Sequence, residues 1–215
     1  MNELALFAGA GGGLLAGHIL GWRCVCAVEC DEHAASVLVF PIWTDVRTFD
    51  GRGWRGVVDV VSGGFPCQAY STAAAGKNNA DDLWPEMRRI VADVAPRYVF
   101  AENVSWRAID EAANDLEKMG YETRAVSLSA ADMGADHVRE RFWLLAYADD
   151  KSELLRQFDA EMVMRTGVSS SLWETGPDES RMADGLAYRM DRLKATGNGQ
   201  VPGVVVAALW TLANA

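Results

Sequence analysis

Positive charge is in short supply in this chain: 20 Lys and Arg stand against 30 Asp and Glu in 215 residues, a formal net charge of -10. That balance excludes a tight non-specific nucleic-acid binder, because neutralising phosphates requires concentrated Lys and Arg. A local positive cleft remains open to it, with Arg88, Arg89, Arg107, Arg139 and Arg141 as the expected lining. Cysteine is scarce as well. Four cysteines (Cys24, Cys26, Cys30 and Cys67) in no regular framework exclude a disulfide scaffold and fit a reducing compartment. His18, His33 and His137 share no spacing, and Cys24 and Cys26, placed on one face by strand alternation, have no fourth ligand nearby. No metal site is predicted. An internal repeat is also lacking. The uncharged run over residues 4–22 is the one stretch that resembles a membrane span or secretory core, yet Glu3 stands where a basic flank belongs and glycines interrupt it. Neither reading holds, and a cytoplasmic location is expected.

Half of the residues are hydrophobic, enough for a substantial core. Residues 3–7 read as a strand, 8–13 as a glycine-rich turn, 14–20 as a helix and 24–28 as a second strand ending at Glu29. A loop of this type lets backbone N–H groups approach a nucleotide-like ligand, although Leu14 occupies the third position of the dinucleotide fingerprint. Glu29 is placed to accept hydrogen bonds from ribose hydroxyls, with a solvated strand-end carboxylate as the equal alternative. Asp31 caps a helix expected to reach residue 40, and Thr44-Asp45-Val46 reads as a third strand end. Further strands are expected at 57–62, 98–101, 122–128 and 142–146, and helices at 82–94, 109–119 and 203–212.

This alternation predicts an α/β fold with a mostly parallel, doubly wound sheet covered on both faces and an antiparallel edge. Three parts are expected: 1–148 as a cofactor-binding catalytic domain, 149–180 as a short recognition or linker segment, and 181–215 as a return to the first. The stretch Val57-Val58-Asp59-Val60-Val61-Ser62-Gly63-Gly64-Phe65-Pro66-Cys67 delivers a thiol just past the C-terminal end of a strand, where open α/β sheets bind ligands. Taken by itself, a small buried residue after a turn explains such a cysteine as well. The tryptophans at 54, 84, 106 and 173 read as packing residues.

Phe7-Ala8-Gly9-Ala10-Gly11-Gly12, Gly64-Phe65-Pro66-Cys67-Gln68, Glu102-Asn103-Val104, Arg139-Glu140-Arg141 and Gly197-Asn198 occur in the order and spacing of the DNA cytosine-5 methyltransferases, which the chain resembles over residues 3–147 and 181–212. The resemblance implies the S-adenosylmethionine-dependent methyltransferase version of the fold, with S-adenosylmethionine as cofactor. It implies a covalent Cys67 adduct at carbon 6 of a flipped cytosine, with Glu102 at ring N3 and the amine, Arg141 at the carbonyl oxygen, and Arg139 assisting. Phe7, Gly9, Gly11, Glu29, Cys30, Asp45, Val46, Pro66, Leu83, Asn198 and Gly199 are implied for the cofactor, and Gln68, Ser71 and Lys77 for DNA. Duplex DNA is the implied partner of a monomeric enzyme; an RNA substrate, or a subunit that relies on a protein partner for recognition, are the alternatives.

Two departures stand out. Cys30 replaces the bulky aromatic that commonly follows the ribose acid, which buries less area against adenine. The recognition region is cut to 149–180, followed by an Arg181-Met182-Ala183-Asp184-Gly185-Leu186 segment like that of compact phage and prophage members. Few side chains can then reach base edges. Bisulfite sequencing of plasmid methylated by this protein is expected to show a short or degenerate consensus, and a long strict one would contradict the reading.

Overall fold

The computed structural model describes residues 1–66, 82–134, 138–148, 154 and 199–214. Its centre is a seven-stranded sheet: β1 (Asn2–Leu6), β2 (Arg23–Val28), β3 (Ile42–Trp43), β4 (Val60–Gly64), β5 (Tyr98–Asn103), β6 (Glu122–Ser129) and β7 (Glu140–Tyr147), in the order β3-β2-β1-β4-β5-β7-β6. The first five strands are parallel, and β7 runs antiparallel to both β5 and β6. The predicted mostly parallel sheet with an antiparallel edge is therefore present. Strand order reverses between β1 and β4, so the loops leaving their C-terminal ends part there and open the crevice typical of doubly wound sheets.

Both faces are covered. On one lie α3 (Trp84–Val94) and α4 (Trp106–Lys118), whose Met87, Ile90, Val91, Ile109 and Leu116 are fully buried against Leu6, Val61 and Val99. On the other lie α1 (Gly12–Ile19) and α5 (Pro202–Asn214). Proline at the first position of α5 suits a helix start, since its missing N–H would be unpaired there in any case. Val204, Val205, Val206, Ala208, Leu209 and Leu212 make α5 apolar nearly all round, which is how a helix reads when neighbours enclose it. It packs on α1, β6 and β7, with Leu154 buried in the same cluster.

Several expectations need correction. The helix capped by Asp31 is only Glu32–Ser36 (α2): Ser36 Oγ donates to the His33 carbonyl, and Val37 and Val39, which would continue it, are exposed rather than forming a core-facing stripe. The third strand ends at Trp43, because Asp45 Oδ1 accepts from Arg47 N and turns the chain into a 3₁₀ turn at Val46–Thr48. Cys24 and Cys26 do not share a face. A bulge shifts the β1–β2 register between Glu3 and Leu4, so that Cys24 packs with Ala5 and Leu14, and Cys26 with Leu4 and Leu6. The packing expected of Trp106 is present but at the surface: the residue is 46% exposed and edge-on to Phe142.

Sequence periodicity gives no hint that Glu3 lies inside. It is 2% exposed, accepts from Ser62 Oγ at 2.6 Å, and lies so near α1 that a Cβ on Gly17 would come within 2.6 Å of it. Burial drives its pKa up to about 7, against the opposing pull of the Ser62 hydrogen bond. The folded state thus holds a proton that the unfolded chain releases near the ordinary carboxyl pKa. The stabilising contribution is complete at low pH and is lost as pH rises through neutrality. Relative to Glu3→Gln, wild-type stability to urea is expected to fall by on the order of 3 kcal/mol between mildly acidic and mildly alkaline pH; parallel pH profiles would contradict this.

Candidate active site

The glycine loop leaves β1 through Phe7, which takes a left-handed φ of 54° that is uncommon for a residue with a side chain. Gly9 and Gly11 also have positive φ, at 54° and 92°, and Leu15 N donates to the Gly11 carbonyl as α1 begins. Glu29, at the end of β2, ties this loop down: Oε2 accepts from Gly9 N and Oε1 from Asp31 N, both at 2.7 Å. Leu14, in the position the dinucleotide fingerprint gives to glycine, is buried with Ala5 and Ala27.

β4 contributes Gly63 and Gly64. A Cβ on Gly63 would lie 2.5 Å from the Leu6 carbonyl, so glycine is required there for β4 to approach β1, and one on Gly64 would lie 2.5 Å from Glu102 Oε2, so a side chain there would displace the carboxylate. Just beyond, Asn103 fixes the strand exit: Nδ2 donates to the Phe65 carbonyl at 2.9 Å and Oδ1 accepts from Ser105 N at 3.0 Å. Leu83 N donates to the Pro66 carbonyl at 3.2 Å, and Trp84 packs its ring on Phe65. The backbone on either side of residues 67–81 is therefore joined at its base.

Glu102, 9% exposed, is the last residue but one of β5. Arg141 Nε lies 2.8 Å from its Oε1, and Gln200 Nε2 donates to Oε2 at 3.4 Å. Burial pushes the Glu102 carboxyl upward, and Arg141, Gln200 and Arg139 oppose that without reversing it. Arg139 reaches across to donate to the Gly199 carbonyl at 2.7 Å, which pins the segment entering α5. That segment sits tightly on the glycine loop: a Cβ on Gly12 would overlap the Gln200 carbonyl, and one on Gly13 its side-chain Oε1.

Two clefts meet here. The larger, about 430 Å³, is lined by Phe7, Gly9, Ser62, Gly63 and Gly64 among others. A second of about 240 Å³ is lined by Arg139, Arg141, Ala130, Trp143 and Val204. Glu102, Gly199 and Gln200 line both, so the Glu102 carboxylate stands in the wall between them.

A family model described as C-5 cytosine-specific DNA methylase matches residues 1–198. The chain belongs to this family. Relatives include the type II methyltransferase M.NgoMIV of Neisseria gonorrhoeae, 30% identical over 72% of this chain and 54% of its own length. M.HhaI of Haemophilus parahaemolyticus is 30% identical over 80% of this chain and 57% of its own. The chain thus spans little more than half the length of either. Among solved structures, S. pombe Dnmt2 methyltransferase superposes with a TM-score of 0.58 at 17% identity, covering 87% of this chain and 63% of that one, a likeness of fold.

Of the residues expected from sequence, Phe7, Gly9, Glu102, Arg139, Arg141 and Gly199 are brought together around the two clefts, with Glu29 joined through Gly9. Gly11, Cys30, Asp45, Val46, Pro66 and Leu83 line neither: Cys30 is exposed, Asp45 caps its 3₁₀ turn, and Val46 is buried in the core with Phe49. Cys67, Gln68, Ser71, Lys77 and Asn198 lie outside the described residues, as does Trp173. Arg88 and Arg89 do not join Arg139 and Arg141 in one cleft. Arg88 pairs with Asp115, and Arg89 with Glu86 and Asp93 while donating to the carbonyls of Val46 and Phe49. Helical geometry turns both toward the α3 side of the sheet, away from Arg139 and Arg141.

Sequence reasoning missed Gln200, Asn103, Ser62 and Trp143. Trp143, 1% exposed, stacks on Phe100, and its Nε1 is a buried donor without a hydrogen-bond partner in the wall of the smaller cleft. Asn103 stood inside the Glu102-Asn103-Val104 motif and Ser62 inside the strand leading to Cys67, which was the available signal; Gln200 lies two residues beyond the Gly197-Asn198 motif, and Trp143 carried none. Asn103→Ala removes both ties at the β4 exit and leaves the Phe65 carbonyl without its side-chain donor, so urea unfolding is expected to show a loss of about 1–3 kcal/mol; an unchanged midpoint would contradict that role.

Proposed function

We propose that this protein transfers a methyl group from S-adenosylmethionine to carbon 5 of a cytosine turned out of duplex DNA, at a short or degenerate target. The observation that carries the reading is the meeting of the two clefts at Glu102, which gives a methyl donor and a pyrimidine a common wall. The larger cleft suits the donor. Its floor is glycine where a side chain would collide, and its loop is braced by a strand-end acid, Glu29, at the position where ribose hydroxyls are commonly received. Phe7, Gly9, Ser62, Gly63 and Gly199 would hold the cofactor, and Asn198, next to Gly199, is assigned to it as the family motifs suggest. Bound S-adenosylmethionine supplies an electrophilic methyl group.

In the smaller cleft, Glu102 is the acid. Its raised pKa favours the protonated carboxyl that a hydrogen bond to ring N3 requires, and desolvation by an entering base would raise it further. Arg141 would hold the carbonyl oxygen, with Arg139 keeping the Gly199 segment against it. Carbon 5 is a weak nucleophile until the ring becomes an enamine, so the Cys67 thiolate would add to carbon 6, making a sulfur–carbon bond while Glu102 relieves charge at N3. Carbon 5 then accepts the methyl group. Loss of the carbon-5 proton to a base restores the ring, and the sulfur–carbon bond breaks to return Cys67. Gln68, Ser71 and Lys77 are assigned to the displaced nucleotide and its strand.

Duplex oligonucleotides carrying 5-fluorocytosine test the chemistry, since fluorine cannot leave as a proton does. With S-adenosylmethionine present, wild type is expected to form a covalent protein–DNA adduct and Cys67→Ala none. Methylation of ordinary cytosine by Cys67→Ala at the wild-type rate would overturn the proposed step. Preferential transfer to RNA in direct competition, or transfer only after a second protein is added, would instead select the RNA or subunit reading.

A further inference from the structure

Gln200 occupies the one place that touches both clefts without belonging to the chemistry just assigned. Its main-chain carbonyl fills the space a Cβ on Gly12 would need, and its side-chain Oε1 the space of one on Gly13, at the start of α1. The other end of the same carboxamide turns the opposite way: Nε2 donates to Glu102 Oε2 at 3.4 Å and lies 3.3 Å from where a Cβ on Gly64 would stand. One planar amide therefore bridges the first turn of the glycine loop's helix and the buried acid. Its residue is held in place from outside by the Arg139 guanidinium on the neighbouring Gly199 carbonyl and by Val201, packed beneath α5.

We propose that Gln200 is a positioning residue that couples filling of the cofactor cleft to the protonation of Glu102. The inference rests on the larger cleft being the S-adenosylmethionine site, and it does not depend on the identity of the methyl acceptor. An amide donor stabilises the ionised form of the carboxylate that accepts from it, so Gln200 favours the wrong state of Glu102 for an N3 donor. Among the described residues, the remaining charged groups facing Glu102 are Arg141 of β7, in contact, and Arg139 just before that strand, farther off. β4 presents Gly64, which carries no charge. Both arginines also favour the ionised form, and neither lines the larger cleft. Gln200 is thus the Glu102 partner that a ligand in that cleft can reach. A ligand seated against Gly9 and Gly64 competes for the carboxamide and draws its donor from Glu102, which then takes up a proton. Protonation of Glu102 must in turn tighten the ligand, since coupling between two equilibria is reciprocal.

The test is calorimetry with S-adenosylhomocysteine as the probe, in buffers of different ionisation enthalpy and without DNA. Wild type is expected to take up a fraction of a proton per molecule bound, and to bind more tightly as pH falls, by up to about tenfold per pH unit. Gln200→Met keeps the bulk against Gly12 and Gly64 but has no donor. It should bind with no proton uptake and a flat pH profile. Gln200→Asn, whose shorter side chain cannot span the gap, should behave in the same way and stands in if the methionine variant misfolds. In methyl transfer, the alkaline limb of kcat/KM for S-adenosylmethionine, which reports the cofactor-free enzyme, should move upward for Gln200→Met by about one pH unit, as expected when a carboxylate loses one donor. Proton uptake that is equal in wild type and both variants, or affinity that weakens equally at every pH, would mean that Gln200 only packs, and overturns the proposal. Absence of probe binding by wild type overturns it as well, whereas coupled binding without transfer to cytosine would overturn the proposed reaction alone.

Discussion

A carboxyl group buried at the end of a β-strand is costly unless its surroundings supply partners or a proton, and the site is built around meeting that demand at Glu102. Arg141 from the antiparallel strand β7 meets one oxygen, and Gln200 from the approach to α5 meets the other. Each partner comes from an element distant in sequence from β5. Had β7 joined the sheet in parallel, Arg141 and Glu102 would lie at opposite edges; the antiparallel register sets Glu102 opposite Trp143 and brings Arg141 to the same rim. Desolvation still prevails over these partners, so the carboxyl remains readier to hold its proton than an exposed one.

The same closeness accounts for the glycines. Gly12 and Gly63 face the main chain of Gln200 and of β1 at separations that leave no room for a methyl group, and a methyl group on Gly13 or Gly64 would displace the side chains of Gln200 or Glu102. The constraint is steric rather than conformational at these positions, whereas at Gly9 and Gly11 it is the positive φ of the turn. Together they let β1, β4 and the α5 approach converge at the topological switch point. Although the chain is acidic overall, Arg139 and Arg141 are concentrated at the site, while Arg88 and Arg89 of α3 are used in structural ion pairs.

Much of the fold was legible in advance for a physical reason. Apolar runs of β-branched residues, glycines after them and amphipathic helices between them are local patterns, and β1, β2, α3, α4 and β6 fall within a few residues of their expected limits. Errors fell where one side chain overrides the pattern: Asp45 turning the chain after Trp43, Ser36 bonding back to His33, and a bulge that separates Cys24 from Cys26. The arginine cleft failed for another reason, because charge counted along a sequence carries no information about which face of the sheet a helix presents it to.

By itself the sequence determined the residue types: a thiol after a strand, an acid followed by an amide, paired arginines and a glycine-rich first turn, each dictated by chemistry that short segments can encode. Only the tertiary structure decided which of them meet. It placed Glu102, Arg139, Arg141 and Gly199 on shared walls, left Asp45 and Val46 outside both clefts, and brought in Gln200, Asn103, Ser62 and Trp143. Contacts between residues tens of positions apart depend on strand order and register, and those are settled by the packing of whole helices against the sheet.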